Sequence, residues 1–356
     1  MQDIYINYLL TQNSKATSTG LSDLLNNKIS HDQITRFLNK KEFESKNLWS
    51  YVKKKAFKKH PNEEGVLIFD DTISEKTYSK ENEIISWHYD HAKGRCIKGI
   101  NLLTCFYNSN KIKLPISYEI IKKDVNYKDP KTEQNKRKAS ITKNEHFRNH
   151  LKSCSKKNMN FKYVLADSWY SSKENMQYIS ENIKKYFIMG VKSNRLFKMY
   201  NTKNETSGDY SQLKNSSLKP NRSYLIKLKG YNTTLILLKK VFKNGDGSVG
   251  TLYIESNDLA LNGDTLYDIY KKRWVIEEFH KNIKNHASLS KSPTKIEKSQ
   301  SNHIYMSYLS YCKIEILKNL SCYDNQHQIK ELLLIKANQA SMAELIKLQN
   351  KIKSAA

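Results

Sequence analysis

The chain has 356 residues, with 61 Lys and Arg against 35 Asp and Glu, a formal net charge of +26 and 38% hydrophobic residues. That length supports two or three modest domains whose cores need no staples, and the composition is that of a packed protein. The charge points to a polyanionic partner, even though the richness in Lys, Asn, Ile and Tyr is partly what an AT-rich genome writes. No run nears the roughly 18 apolar residues of a membrane span, and no Gly-rich phosphate loop or dinucleotide fingerprint supports a nucleotide cofactor. Cys96, Cys105, Cys154, Cys312 and Cys322 have no metal-ligand spacing, are odd in number and follow no signal peptide, so a cytoplasmic location is expected.

Residues 1–60 read as helical and basic. A helix over 19–25, a tight turn at Asn26-Asn27-Lys28 and a second helix opened by Ser30 and Gln33 at capping-box spacing suggest a helix-turn-helix. The second helix places Ile34, Phe37 and Leu38 on one face and leaves Thr35, Arg36 and Asn39 outside, which suits either a DNA-reading helix or an ordinary helical hairpin. This region is expected to be separable from the rest of the chain.

Val66-Leu67-Ile68-Phe69 is a short buried strand ending in Asp70-Asp71-Thr72. Two strands, Ile100 to Tyr107 and Ile112 to Ile121, form a hairpin; 122–143 reads as a basic loop and 144–153 as a helix. A second buried strand, Phe161 to Ala166, also ends in an acid, Asp167, before a capping box at Ser171 to Glu174. Tyr186 to Val191 is a further strand, and 195–260 is polar and strand-rich, with a turn at Asn244-Gly245-Asp246-Gly247. Helix returns at Asp264 and continues to the end.

Two strand-terminal carboxylates, with a third acid on a helix, suit a hard divalent cation held by a few carboxylates, waters and phosphate oxygens. The third acid is Glu277 in a helix from Asp264 to Asn285, where Tyr270, Arg273, Glu277 and Lys284 fall on one face together with Lys281. The same face could equally be solvated ion pairs. Trp274 is expected in the core; Trp169, just after the second acid, is open to either a packing or a DNA role.

Tyr270-x2-Arg273-x3-Glu277-x6-Lys284 matches the Y-R-E-K signature of bacterial insertion-sequence transposases of the IS-four type. Phe69-Asp70-Asp71-Thr72 resembles the D-x-T that ends the first strand of their ribonuclease-H-like core, and Val164 to Tyr170 resembles their second-acid motif. The three motifs run from about 66 to 284, with 97 residues between the first two acids and 110 between the second and third.

The resemblance implies an α/β fold: a ribonuclease-H-like catalytic core, a mixed sheet flanked by helices, interrupted by a β-rich insertion and bounded by helical N-terminal and C-terminal regions. The implied divisions are 1–60 for DNA binding, 61–194 and 263–322 for the core, 195–262 for the insertion and 323–356 for a C-terminal helical region. It also implies cut-and-paste transposition, with Asp70, Asp167 and Glu277 holding two Mg²⁺, or Mn²⁺ in their place, for hydrolysis and strand transfer. Asp71 competes with Asp70 as first acid. Tyr270, Arg273, Lys284, Lys281, Arg36 and Trp169 would contact double-stranded DNA, both terminal inverted repeats and target.

A synaptic homodimer is implied as well. Leu332, Ile335, Met342, Leu345 and Ile346 form a helical apolar stripe that either packs on the chain's own core or pairs two copies. Two rival readings are a non-catalytic DNA-binding regulator derived from a transposase and a structure-specific nuclease on the same fold.

Overall fold

The computed structural model describes residues 1–40, 42–90, 93–200, 206–321 and 323–355, with side chains described for all of these except 206–208 and 352–355. Four helices come first: α1 (Gln2–Thr11), α2 (Ser18–Leu24), α3 (His31–Lys40) and α4 (Ser45–Lys55). The turn from α2 to α3 passes through Asn26 and Asn27, both at positive φ, a conformation that Asn tolerates better than most residues. Ser30 and Gln33 then close the capping box: the Gln33 backbone N–H donates to Ser30 Oγ at 3.3 Å, and the Ser30 N–H donates to Gln33 Oε1 at 2.9 Å.

Five strands form the centre. They are β1 (Gly65–Glu75), β3 (Arg95–Asn108) and β4 (Lys113–Ile120), followed by β7 (Phe161–Ala166) and β8 (Tyr186–Val191). β1 pairs antiparallel with β3, β3 antiparallel with β4, β1 parallel with β7, and β7 parallel with β8. The order β4-β3-β1-β7-β8, an antiparallel meander continued by two parallel strands, is a ribonuclease-H-like sheet. Short β2 (Ser86–Asp90) pairs with the start of β3.

The stretch expected as a basic loop contains a hairpin of β5 (Val125–Lys128) and β6 (Asn135–Lys138). Its turn is made by Asp129, which accepts from the backbone N–H groups of Lys131 and Thr132 and pairs with Lys136. The polar and charged residues of both strands, with little apolar alternation, hid the hairpin there. α5 (Lys143–Lys156) follows, then α6 (Lys173–Gln177), whose cap is Ser172 accepting from the Asn175 N–H, one residue later than the spacing suggested.

After β8 the sheet continues through the insertion: β9 (Leu196–Tyr200), β10 (Thr206–Gln212), β11 (Arg222–Leu228), β12 (Leu235–Lys243) and β13 (Val249–Ser256). β13 pairs with β8, so core and insertion share one sheet of eleven strands among the described residues.

The last helices are α7 (Gly263–Lys271), α8 (Trp274–His286), α9 (Glu297–Leu320) and α10 (Gln326–Ala355). The single helix expected over 264–285 is thus broken: the N–H groups of Lys272 and Arg273 reach back only three residues, to the carbonyls of Ile269 and Tyr270. α8 covers one face of the central sheet, where Phe279 meets Phe106 at 5.4 Å; α5 covers the other, where Phe147 meets Phe69 at 4.4 Å.

The N-terminal helices share a core with α9. Asn302 of α9 accepts from the Phe43 N–H at 3.0 Å and donates to the Leu38 carbonyl at 2.6 Å, Tyr5 Oη meets His303 Nδ1 at 2.9 Å, and Phe43 stacks on Tyr305 at 4.7 Å. Asn39 is therefore not free on the outside of its helix; it accepts from Ser299 Oγ. Residues 1–60 thus do not stand apart from the chain but pack directly on α9.

The apolar stripe of α10 does not pack on the catalytic core. Leu332, Ile335, Met342, Leu345 and Ile346 are 39–64% exposed, since α10 docks only through its first turns, where Gln326 and Lys330 are buried. Cys105, Cys154 and Cys312 are buried thiols and Cys96 is exposed; Cys322 lies outside the described residues. No helix among the described residues is long and apolar enough to cross a membrane.

Candidate active site

The ladder between β1 and β7 ends at Phe69 opposite Ala166, so the next residue of each strand, Asp70 and Asp167, stands beside the other. β1 itself does not stop there. It runs to Glu75 against β3, so Asp70 and Asp71 lie inside a strand and not at its end. Alternation sends the two to opposite faces.

Asp70 faces α8. Arg273 Nη1 is 4.0 Å and His280 Nδ1 3.7 Å from its Oδ2, and its Oδ1 accepts the Asp71 N–H at 3.0 Å. Burial, then the charges of Asp167 and Asp71, push its carboxyl up to about 7, against a smaller pull from Arg273. Burial likewise raises Asp167, whose Oδ1 accepts the Trp169 N–H at 2.9 Å.

Asp71 faces α5 and is fully engaged. Lys143 Nζ lies 3.0 Å from both its oxygens, and Tyr170 Oη and Asn101 Nδ2 donate at 2.8 and 2.9 Å. Burial pushes its carboxyl up, but the Lys143 charge and these hydrogen bonds outweigh it and hold the group below the ordinary 3.8. Lys143 also lies over the half-buried Trp169 ring at 4.2 Å, so Trp169 belongs to this cluster.

Glu277, in the first turn of α8, is 55% exposed at its side chain and accepts from Arg273 Nη2 at 2.5 Å. One guanidinium therefore stands between Glu277 and Asp70. Tyr270 is buried beneath Arg273, with the guanidinium 5.7 Å from its ring. Lys284 Nζ donates to Thr72 Oγ1 at 2.7 Å. Lys281 is exposed on α8, and Arg36 is exposed on α3, outside this cluster. Trp274 is 46% exposed, not in the core: the break before α8 leaves it at the helix start, pointing to solvent.

Asp167, Tyr270 and Arg273 open onto a cleft of about 640 Å³ shared with Lys192, Lys214 and Tyr253, the last two from the insertion. Three residues of the site went unnoticed in the sequence. A Cβ on Gly190 of β8 would stand 3.1 Å from both the Ser168 backbone nitrogen and Tyr270 Oη, so its small size lets the Asp167 turn and Tyr270 approach; glycine inside a strand was the available signal. His280 is buried, and desolvation pushes its imidazole down to about 3. Lys143 reaches Asp71 from 72 residues away, and nothing local announces that.

Asp70 and Asp167, two partly buried carboxylates side by side whose charges repel, fit a hard divalent cation. Among the described residues no group of three His, Cys, Asp or Glu is arranged to hold a metal, and Glu277 is turned to Arg273.

The family model described as DDE superfamily endonuclease matches residues 2–212, a stretch that holds Asp70, Asp71 and Asp167 and ends before Glu277. No curated protein matches the sequence. Among solved structures, the Drosophila P element transposase strand transfer complex is matched at 13% identity over 51% of this chain and 36% of that one, so the chain spans about a third of its length. Its TM-score is 0.26, too low to carry a structural argument. The family match, spanning more than half of the sequence, establishes that the chain belongs to the DDE superfamily endonucleases.

Proposed function

We propose that the chain is the transposase of an insertion sequence, of the Y-R-E-K branch, which cuts its element's ends from double-stranded DNA and joins them to a target. The observation that carries this reading is the pair of partly buried carboxylates, Asp70 and Asp167, beside the α7–α8 segment that bears Tyr270, Arg273, Glu277 and Lys284. Asp70, Asp167 and Glu277 would hold Mg²⁺, two ions in all, with Mn²⁺ able to substitute. The bound metal supplies activation of a water or 3′-hydroxyl and stabilisation of the leaving oxygen.

Glu277 joins the aspartates by turning away from Arg273, a movement its exposure permits. That releases the guanidinium to a DNA phosphate, for which its planar fork is suited. Lys284 fixes α8 to β1, and Tyr270 lines the cleft in which the strand is positioned. Asp71, neutralised by Lys143, supports the strand beneath Asp70 instead of binding metal. α3 would read the terminal repeats through Arg36, with Lys281 and Trp169 at the edges of the DNA path. Two copies would pair for synapsis, and the exposed stripe of α10 is the contact assigned to them.

The test is an excision assay in cells, with a marker placed between the DNA segments that border the gene. Excision with the wild type and none with Asp70→Asn or Asp167→Asn is the expected result. A protein that cuts those ends but never joins them to target DNA would instead be a structure-specific nuclease.

A further inference from the structure

A second cleft, of about 550 Å³, opens where the loop after α1, the end of β1 and the segment following α8 meet. Its walls are tied together. Lys291 Nζ donates to the Gln12 carbonyl at 3.0 Å, the Ala16 N–H donates to the Lys291 carbonyl at 3.0 Å, Lys76 Nζ donates to the Ser292 carbonyl at 2.7 Å, and Ser74 Oγ meets Ser290 Oγ at 3.2 Å.

Four lysines line this space, Lys15, Lys76, Lys291 and Lys295. The carboxylate among the lining residues, Glu75, is taken by Lys93. Lys76 is 8% exposed, and its acceptor is a neutral carbonyl, which leaves its other N–H donors for a ligand. A buried cation without a counter-ion is costly unless an anion completes it. Burial pushes the Lys76 amine down to about 8 and lowers that of Lys291, as expected for ammonium groups short of negative charge. Hydroxyls of Ser14, Thr77 and Ser79 complete the lining.

We propose that this cleft binds a backbone phosphate of the DNA duplex at a point remote from the scissile bond. Lysines and hydroxyls are the groups that position a duplex through its phosphates. The cleft begins at Glu75, five residues along β1 from Asp70, about 17 Å at the rise of a strand. That is about five base-pair steps of a duplex, so one DNA molecule can reach both sites. The inference rests on the reading of the chain as a DNA-cutting enzyme.

The experiment measures affinity of the full chain for a short labelled duplex across a salt series. Lys76→Met and Lys291→Met are each expected to reduce the slope of log affinity against log salt by about 0.9 and to weaken binding about eightfold at 0.1 M salt. Lys295→Glu, on the exposed rim, repeats the test without touching a buried group, against Lys336→Glu on α10 as the control for net charge. A larger loss for Lys295→Glu than for Lys336→Glu supports the cleft; equal losses, or unchanged slopes in folded methionine variants, overturn it. Inorganic phosphate that stabilises the wild type but not Lys76→Met, with DNA slopes unchanged, would make this a free-anion site and overturn the DNA assignment. Failure of the wild type to bind duplex at all would instead sink the underlying functional reading.

Discussion

Lys284 Nζ donates to Thr72 Oγ1 at 2.7 Å, tying the last turn of α8 to β1 two residues beyond Asp70. The lysine that ends the Y-R-E-K spacing and the threonine of the D-x-T are thus one contact. Thr72→Val would leave a partly buried ammonium without its acceptor, and we expect a loss of roughly 1–3 kcal/mol in urea unfolding. Lys284→Met, which removes the charge as well, should cost less. Equal stability of Thr72→Val and wild type would show that the bond contributes nothing.

Asp70 makes stability depend on pH in the absence of metal. Its folded pKa, about 7, lies above the ordinary 3.8, so the folded state binds the extra proton between those values. The contribution is present in full below pH 3.8 and is lost as pH rises through 7, by an amount on the order of a few kcal/mol. In EDTA, unfolding free energy should therefore decline over that window for the wild type and decline less for Asp70→Asn, which should be the more stable protein at pH 8. Mg²⁺ should recover the lost stability of the wild type and not of the variant. Parallel pH profiles for the two proteins would contradict the assignment.

Gly190→Ala should disturb the site from within β8, whose Gly190 lines the same cleft as Asp167 and Tyr270. The added methyl would lie 3.1 Å from both the Ser168 nitrogen and Tyr270 Oη, so either the turn carrying Asp167 or the Tyr270 ring must shift. We expect a destabilisation of about 1–3 kcal/mol and a fall in DNA cleavage larger than stability alone explains. Activity at the wild-type level in a folded variant would argue that the close approach is incidental.

Removal of residues 1–60 should unfold the chain instead of releasing a catalytic fragment, because it strips α9 of the partners of Asn302, His303 and Tyr305. Asn302→Ala in the full chain is the milder version. It removes the acceptor of the Phe43 N–H and the donor to the Leu38 carbonyl, and should cost about 2–4 kcal/mol. A soluble truncated protein with a cooperative melt would refute this.

Local pattern was enough for what depends on neighbours in the chain. The two buried strands of the parallel pair, the Ser30–Gln33 capping box and the spacing of Tyr270, Arg273, Glu277 and Lys284 are all periodic or adjacent features, and side-chain periodicity is a property of the sequence itself. Tertiary structure decided what lies on each face. Asp70 and Asp71 are equivalent as letters; they differ because one turns toward Arg273 and His280 of α8 and the other toward Lys143 of α5, 72 residues on. The reach of β1 past its acids was set by β3, and the burial of the N-terminal helices by α9, more than 250 residues later. Those partners are fixed by packing between distant segments, and no window of sequence contains both sides of such a contact.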